Sequence, residues 1–165
     1  MTKPEPSGTA DSPTFFFPLG SIGPVQHENR TLWLSYRIPV ATGDRVHVVF
    51  ERFAAAPKQC LMLSLAKRPH RMRISGHEAA RYVLWSHTAP RQVQIDITKA
   101  GRGSELCFYN GWEDLKYGTL LYGLRYAAID VQPQPDGSIC LHCSDGWGDA
   151  NFTDLQVRVT HERAA

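Results

Sequence analysis

Hydrophobic and polar residues alternate with a period of two along most of the chain beyond Phe15. In RQVQIDI, the apolar residues Val93, Ile95 and Ile97 are separated by single polar residues, and RVHVVFERF repeats the pattern. A strand with one face in the core and the other in water has this period, whereas a helix would repeat every three to four residues. The pattern therefore predicts β-structure.

Ten segments carry strand character. They are 31–39, 45–53, 59–66, 70–74, 81–86, 91–97, 105–109, 124–132, 138–143 and 154–159. In the first of them, Leu32, Leu34, Tyr36 and Ile38 are expected on one face. Turn signals such as ATGD, KRP, AGRG and QPDG separate the strands, and the one candidate helix is a turn or two around residues 76–81. We predict an all-β fold: a single antiparallel β-sandwich, jelly-roll-like, with about ten strands and at most one short helix.

Length and composition favour one folded domain. The chain has 165 residues, of which 42% are hydrophobic and 21% charged, as in ordinary globular proteins. Residues 1–14 are rich in Pro, Ser, Thr and Gly and are expected to be a flexible leader, with the domain spanning 15–165. No apolar run has the roughly 20 residues of a membrane span, and no signal sequence is evident. We expect a cytoplasmic protein, with leaderless export left open, and four reduced, buried cysteines.

Charge is divided unevenly along the chain. Residues 1–57 have no net charge, residues 58–102 carry nine Lys/Arg against two Asp/Glu, and residues 103–165 carry four against nine. The middle is therefore basic and the end acidic. Such a division is typical of an anion-binding face, a cation site, or a contact between copies of the chain.

The segment CSDGWGDANFTD concentrates hard oxygen donors just before the last predicted strand. Asp145, Asp149, Asn151 and Asp154 are ligands that suit Ca²⁺, and the neighbouring glycines allow a tight loop. The spacing is not that of an EF-hand. The alternative is that Asp and Asn cap backbone N–H groups in turns, with Phe152 anchoring the strand.

The motif Asp-x-Asn-Phe-x-Asp-Leu-x-Val, at 149–157, resembles the closing segment of bacterial galactose-binding-like and calcium-associated β-sandwich domains. The resemblance covers about fifteen residues. It implies a calcium ion near the turn, held here by Asp149, Asn151 and Asp154.

A second segment, FYNGWEDLKYGTLLYGLRY at 108–126, combines aromatic rings with amides and carboxylates. Such residues can stack on sugar rings and hydrogen-bond their hydroxyls. The candidate ligand-binding residues are Tyr109, Asn110, Trp112, Glu113, Asp114, Tyr117 and, from the acidic loop, Trp147. The alternative is that these large side chains seal the edge of the core.

The basic stretch KRPHRMR at 67–73 places Arg71 and Arg73 on one strand face. Aromatic residues are not interleaved with the arginines, so a nucleic-acid interface is not favoured, and a solvated face is expected. Catalytic motifs are incomplete: His77-Glu78 lacks a second histidine at position 81, and the Cys140–Cys143 pair lacks a partner pair at zinc-site spacing. We do not expect an enzyme.

These patterns together indicate a non-catalytic, lectin-like binding module that contacts carbohydrate through aromatic loops, with a structural Ca²⁺ as its candidate cofactor. The first alternative is a protein-binding or self-assembling module that forms homo-oligomers through the charge division and the Phe15-Phe16-Phe17 cluster. The second is a module that attaches to membrane surfaces through its aromatic loops.

Overall fold

The computed structural model describes residues 15–146 and 150–165, and within them it contains fourteen strands and no helix. The strands are β1 (Val25–His27), β2 (Arg30–Trp33), β3 (Tyr36–Pro39), β4 (Arg45–Phe53), β5 (Gln59–Ala66), β6 (His70–Ile74), β7 (His77–Ala79), β8 (Arg81–Trp85), β9 (Gln92–Ala100), β10 (Glu105–Glu113), β11 (Leu120–Tyr122), β12 (Ala128–Pro133), β13 (Ile139–Ser144) and β14 (Leu155–Glu162).

The strands form two antiparallel sheets. The larger has nine strands in the order β1-β2-β12-β13-β14-β4-β9-β6-β7, and the smaller has β11-β10-β5-β8 with β3 also paired to β10. An antiparallel sandwich is therefore confirmed. Its core lies between the sheets, where the alternating apolar residues of β4, β5, β9, β10 and β14 meet in one buried cluster.

The alternation read from the sequence is confirmed in the longest strands. Val46, Val48 and Phe50 of β4 and Ile95 and Ile97 of β9 point into the core. The outer face of the larger sheet carries polar side chains, as expected for a sheet with one face in water.

A smaller apolar cluster covers one corner of the larger sheet's outer face. It consists of Phe17, Leu32, Ala128 and Phe152, with Phe15 and Leu34 packed against it. The Arg30 guanidinium lies 4.4 Å from the centre of the Phe152 ring and forms an ion pair with Asp130. Phe152 is thus the anchor of the segment before β14, as the sequence suggested.

Two predictions are wrong in instructive ways. Segment 31–39 is not one strand, because the chain crosses from the larger sheet to the smaller at Leu34 and Ser35, so β2 and β3 belong to different sheets. Leu32 and Leu34 consequently join the outer cluster and not the face of Tyr36 and Ile38. Residues 76–81 are not helical: β7 pairs with β6 through the turn at Ser75 and Gly76, where both φ angles are positive.

The strand count also exceeds the predicted ten. The three-residue strands β1, β7 and β11 are too short to show a period of two. Strand β10 continues to Glu113, four residues past its predicted end. Asn110 and Trp112 continue the row of side chains that face the core, and they pair with Leu61 and Gln59 of β5. Much of the segment predicted as a binding loop is therefore strand.

The two ends of the sandwich have different characters. We call the end at which β4, β10 and β13 finish, and β5, β12 and β14 begin, the loop end; the opposite end is the basal end. The loop end carries the segment 145–154 and the 114–119 connection. The basal end carries the turns at 67–69 and 101–104.

Candidate functional site

The exposed large apolar side chains of the described residues lie on segments that border the loop end. They are Phe16, Leu19, Phe53, Leu115, Tyr117 and Tyr122. They come from four separate stretches of chain, and residues 15–24 are held there by a hydrogen bond from Phe17 N–H to Arg125 O. An exposed apolar patch built from distant segments marks a contact surface, so the loop end is the candidate site.

The connection between β10 and β11 presents two of these side chains. Asp114 Oδ1 accepts the backbone N–H groups of Lys116 at 2.8 Å and Tyr117 at 2.7 Å. Gly118 closes the turn with a φ of +66°, a conformation that favours glycine. This turn leaves Leu115 77% and Tyr117 70% exposed. Asp114, predicted as a ligand-binding residue, uses this oxygen to shape the loop.

Two tyrosines lie together on the outer face of the smaller sheet near the loop end. The rings of Tyr109 and Tyr122 meet edge to face, with their centres 6.0 Å apart. Arg37, on the neighbouring β3, lies close to Tyr109 and forms an ion pair with Glu105 at 3.6 Å. This pair combines exposed ring area with hydroxyl and guanidinium groups, which suits a polar ligand that offers a flat face.

Trp112 and Asn110 point inward from β10 and are each only 1% exposed. The Trp112 ring lies 6.2 Å from that of Tyr126 and closes the core at the loop end. Neither side chain presents a face to solvent, so the stacking role predicted for Trp112 has no accessible ring in this structure. Its burial matches the alternative, in which aromatic residues seal the core edge.

A pair of buried amides lies beneath the loop end. Asn110 Nδ2 donates to Ser144 O at 3.2 Å, and Gln59 Nε2 donates to Pro57 O at 3.1 Å and to Asp145 Oδ2 at 3.5 Å. These acceptors fix the orientation of both amides, because a flipped amide would turn its oxygen toward another oxygen. The two amide oxygens are consequently buried without a hydrogen-bond partner, a costly arrangement.

The acidic segment brings two of its four predicted ligands together. Asp145 and Asp154 are both buried, and the Asp145 N–H donates to Asp154 Oδ2 at 2.9 Å. Asn151 is exposed, and its Oδ1 accepts the Thr153 N–H at 3.1 Å, as in an Asx turn. Asp149 lies outside the described residues, as does Trp147.

A cavity of about 350 Å³ opens at the loop end beside these groups. Its lining comprises Pro57, Trp112, Glu113, Asp114, Leu115, Lys116, Leu121 and Asp145. Its lining is divided between four apolar and four charged residues, and the volume falls in the range of small-molecule sites. Glu113, which also approaches Lys58 at 3.7 Å, is the predicted ligand-binding residue best placed at its edge.

The four cysteines are free and buried. Burial raises the pKa of the Cys60 thiol to about 12 and also raises that of Cys143, where the Asp154 carboxylate adds to the effect. A thiol with a raised pKa remains protonated and is a poor nucleophile at neutral pH. Within the described ranges, no group of three or more His, Cys, Asp or Glu side chains is arranged to hold a metal ion.

Gln59 and Arg37 are members of the site that sequence reasoning missed. Gln59 faces inward at the start of a strand whose other residues are mostly apolar, and this exception to the apolar pattern was the available signal. Arg37 lies near Tyr109 because β3 pairs with β10, and no local pattern reports that pairing.

Comparisons with protein-family models, with curated proteins and with solved structures find no match. The resemblance of segment 149–157 to calcium-associated sandwiches therefore stays a prediction. In the part of the chain that the structure describes, no helix is long and apolar enough to cross a membrane.

Proposed function

We propose that the protein is a non-catalytic binding module that contacts its ligand through the loop end. The observation that carries the proposal is that several segments bordering that end expose large apolar side chains, one of which, Leu115, lines a cavity of about 350 Å³. Folding alone gives no reason to expose such side chains from four separate segments at one place, whereas binding does.

Carbohydrate is the proposed ligand class. Support comes from Tyr117, which is 70% exposed and has the Lys116 ammonium 4.9 Å from its ring centre, and from the Tyr109–Tyr122 pair near Arg37. Exposed tyrosine rings can stack on the apolar face of a sugar while neighbouring charged groups bond its hydroxyls. Glu113 and Lys116, in the cavity wall, supply an acceptor and a donor at the same end.

A structural Ca²⁺ is the proposed cofactor of segment 145–154. Asp145 and Asp154 are both buried, the Asp145 backbone N–H donates to Asp154 Oδ2, and Asp154 forms no ion pair with another described residue. Carboxylate oxygens are ligands that Ca²⁺ prefers, so a cation held by side chains of this segment would stabilise it.

A second candidate is a hydrophobic partner: another protein, a second copy of this chain, or a lipid surface. The observation that favours it is the chemistry of Phe16, Leu19, Phe53 and Leu115, which have no polar atom with which to bond a sugar hydroxyl. Apolar side chains exposed in this way are typical of protein and membrane contacts.

Two substitutions separate the candidates. Tyr117→Ala should abolish binding in a glycan panel, while Leu115→Ala, in the same turn, should leave glycan binding intact because leucine offers no stacking ring. Binding to a protein or to vesicles would weaken with both. The readouts are glycan-panel binding, flotation with neutral and with anionic vesicles, and size-exclusion chromatography. Glycan binding that survives Tyr117→Ala would contradict the carbohydrate proposal.

A further inference from the structure

The basal end, opposite the candidate site, carries a cluster of cations around one cleft. Arg68, His70, Arg71 and Lys99 line a cleft of about 620 Å³ together with Glu78. Arg81 lies in the adjoining hollow, which shares Arg68 and His70 with the first. These residues come from the 67–69 turn and strands β6, β8 and β9, so the fold concentrates the charge of the basic middle of the chain at one place.

Two of these cations face each other across a strand pair. Arg71 of β6 is the direct partner of Lys99 of β9, and like charges directly opposite one another destabilise a sheet. Elsewhere in this sheet, charged neighbours are complementary: Arg45 lies 3.1 Å from Asp96, and Arg73 lies 2.8 Å from Glu78. The Arg71–Lys99 pair departs from this complementarity, and the stability of the sheet gives no reason for two like charges at these positions.

Ion pairs within the described residues do not compensate the cluster. Arg68, Arg71, Arg81 and Lys99 form no ion pair with any residue in 15–146 or 150–165. Glu78, the one carboxylate that lines the cleft, is already paired with Arg73. The cleft therefore holds uncompensated positive charge around a volume large enough for a small molecule.

We propose that this cleft binds a tetrahedral oxyanion: the sulfate or phosphate group of a small ligand. Arginine guanidinium groups hold such oxygens with paired, charge-assisted hydrogen bonds, and lysine adds a mobile point charge. An oxyanion between Arg71 and Lys99 would turn their repulsion into shared attraction. The proposal concerns the basal end and does not depend on the function proposed for the loop end.

Single-stranded nucleic acid is a less suitable occupant. Such ligands are bound on aromatic rings that stack with successive bases, and no Phe, Tyr or Trp is among the described residues that line the cleft. The sequence predicted that the basic stretch 67–73 is a solvated strand face. Its position in the cleft suits it better to binding a single compact anion.

The test is a thermal melt and a calorimetric titration of the full chain with inorganic sulfate and, separately, inorganic phosphate. Sodium chloride keeps the ionic strength constant in every sample. We expect at least one oxyanion to raise the melting temperature in a saturable way, because a ligand bound only by the folded state stabilises it by mass action. The two arms show which oxyanion the cleft prefers.

Arg71→Gln and Lys99→Gln should each weaken oxyanion binding about tenfold or more, since each removes a charge-assisted hydrogen bond. In chloride alone, both variants should melt at or above the melting temperature of the unsubstituted protein, because the repulsion between Arg71 and Lys99 is relieved. Such a melt would show that the variants fold.

Arg91→Gln, at an exposed arginine outside the cleft, is the matched control and should bind the oxyanion normally. A non-saturable rise, a rise equal in all variants, or binding of an oligonucleotide without any response to the inorganic ions would overturn the proposal.

Discussion

The backbone N–H of Asp145 donates a 2.9 Å hydrogen bond to the Asp154 carboxylate, across the segment that leads into the last strand. Asp154→Ala removes the acceptor of this buried bond, and we expect it to lower the free energy of unfolding by about 1–3 kcal/mol. Asp154→Asn keeps an oxygen acceptor and should cost less. Urea denaturation of the three proteins measures the difference, and equal losses for Ala and Asn would show that charge, not the hydrogen bond, is what Asp154 contributes.

The proposed Ca²⁺ makes a separate prediction about the same pair. Chelator should lower the melting temperature by several degrees and added Ca²⁺ should restore it. A free Ca²⁺ concentration of a hundred times the dissociation constant stabilises the folded state by about 2.7 kcal/mol. Asp154→Ala should abolish the response to Ca²⁺, because it removes a proposed ligand. An unchanged melt in chelator, Ca²⁺ and Zn²⁺ would reject the cofactor and leave the hydrogen-bond prediction standing.

Gly146, next to Asp145, has no room for a side chain. Its φ is +82°, and an added Cβ would lie 2.2 Å from the carbonyl oxygen of Tyr126. Gly137, in the turn before β13, has a similar φ of +84° but open space around it. Gly137→Ala should therefore cost only the conformational strain, about 1–2 kcal/mol, whereas Gly146→Ala adds a backbone clash and should cost several kcal/mol. Thermal melts of the two variants measure the contrast, and equal losses would contradict the close approach of Gly146 to Tyr126.

The strands were predictable because their signal is local. Segments 45–53, 59–66 and 70–74 coincide with β4, β5 and β6, since alternation in β4 and a short apolar run in β5 are signals contained within one strand. The crossing at Ser35 was not predictable in this way. The period of two continues through 31–39 while the chain changes sheet, and only pairing with β10 and β12 reveals it.

The site was harder to predict for the same reason. Tyr117 could be assigned to a candidate binding segment from the sequence, but the sequence could not show that Trp112 points inward. That follows from the extension of β10 opposite Gln59. Likewise, Arg71 and Lys99 lie opposite each other because of the register between β6 and β9, although the two residues are 28 positions apart in the chain.

Burial predicts the reactivity of the thiols. All four cysteines are buried, and the raised pKa of Cys60, about 12, adds to the barrier against thiolate formation. A thiol reagent at neutral pH should label none of the four in the folded protein and all four after denaturation in guanidinium chloride. Rapid labelling of any one cysteine in the native state would show local opening of the strand that carries it.

Asp44 ties the C-terminal segment to the start of β4 and predicts how stability falls in acid. Its carboxylate accepts the N–H groups of Ala41 at 2.9 Å and Ala164 at 2.8 Å, and it lies 2.8 Å from His161 Nε2. Burial alone would raise the pKa of Asp44, but the two N–H groups and the imidazole together hold it below the ordinary value of 3.8. The ionised form is thus favoured in the folded protein.

A depressed pKa in the folded state means that the unfolded chain takes up the proton first as the pH falls. The stabilisation by Asp44 is therefore complete well above pH 3.8 and is lost as the pH falls toward and through the lower folded pKa. Asp44→Asn should be less stable than the unsubstituted protein at pH 5, and the gap should narrow below about pH 4. Unfolding free energies from urea titrations between about pH 5 and 2.5 measure this. A gap of constant size over that range would mean that Asp44 contributes through its hydrogen-bond geometry and not through its charge.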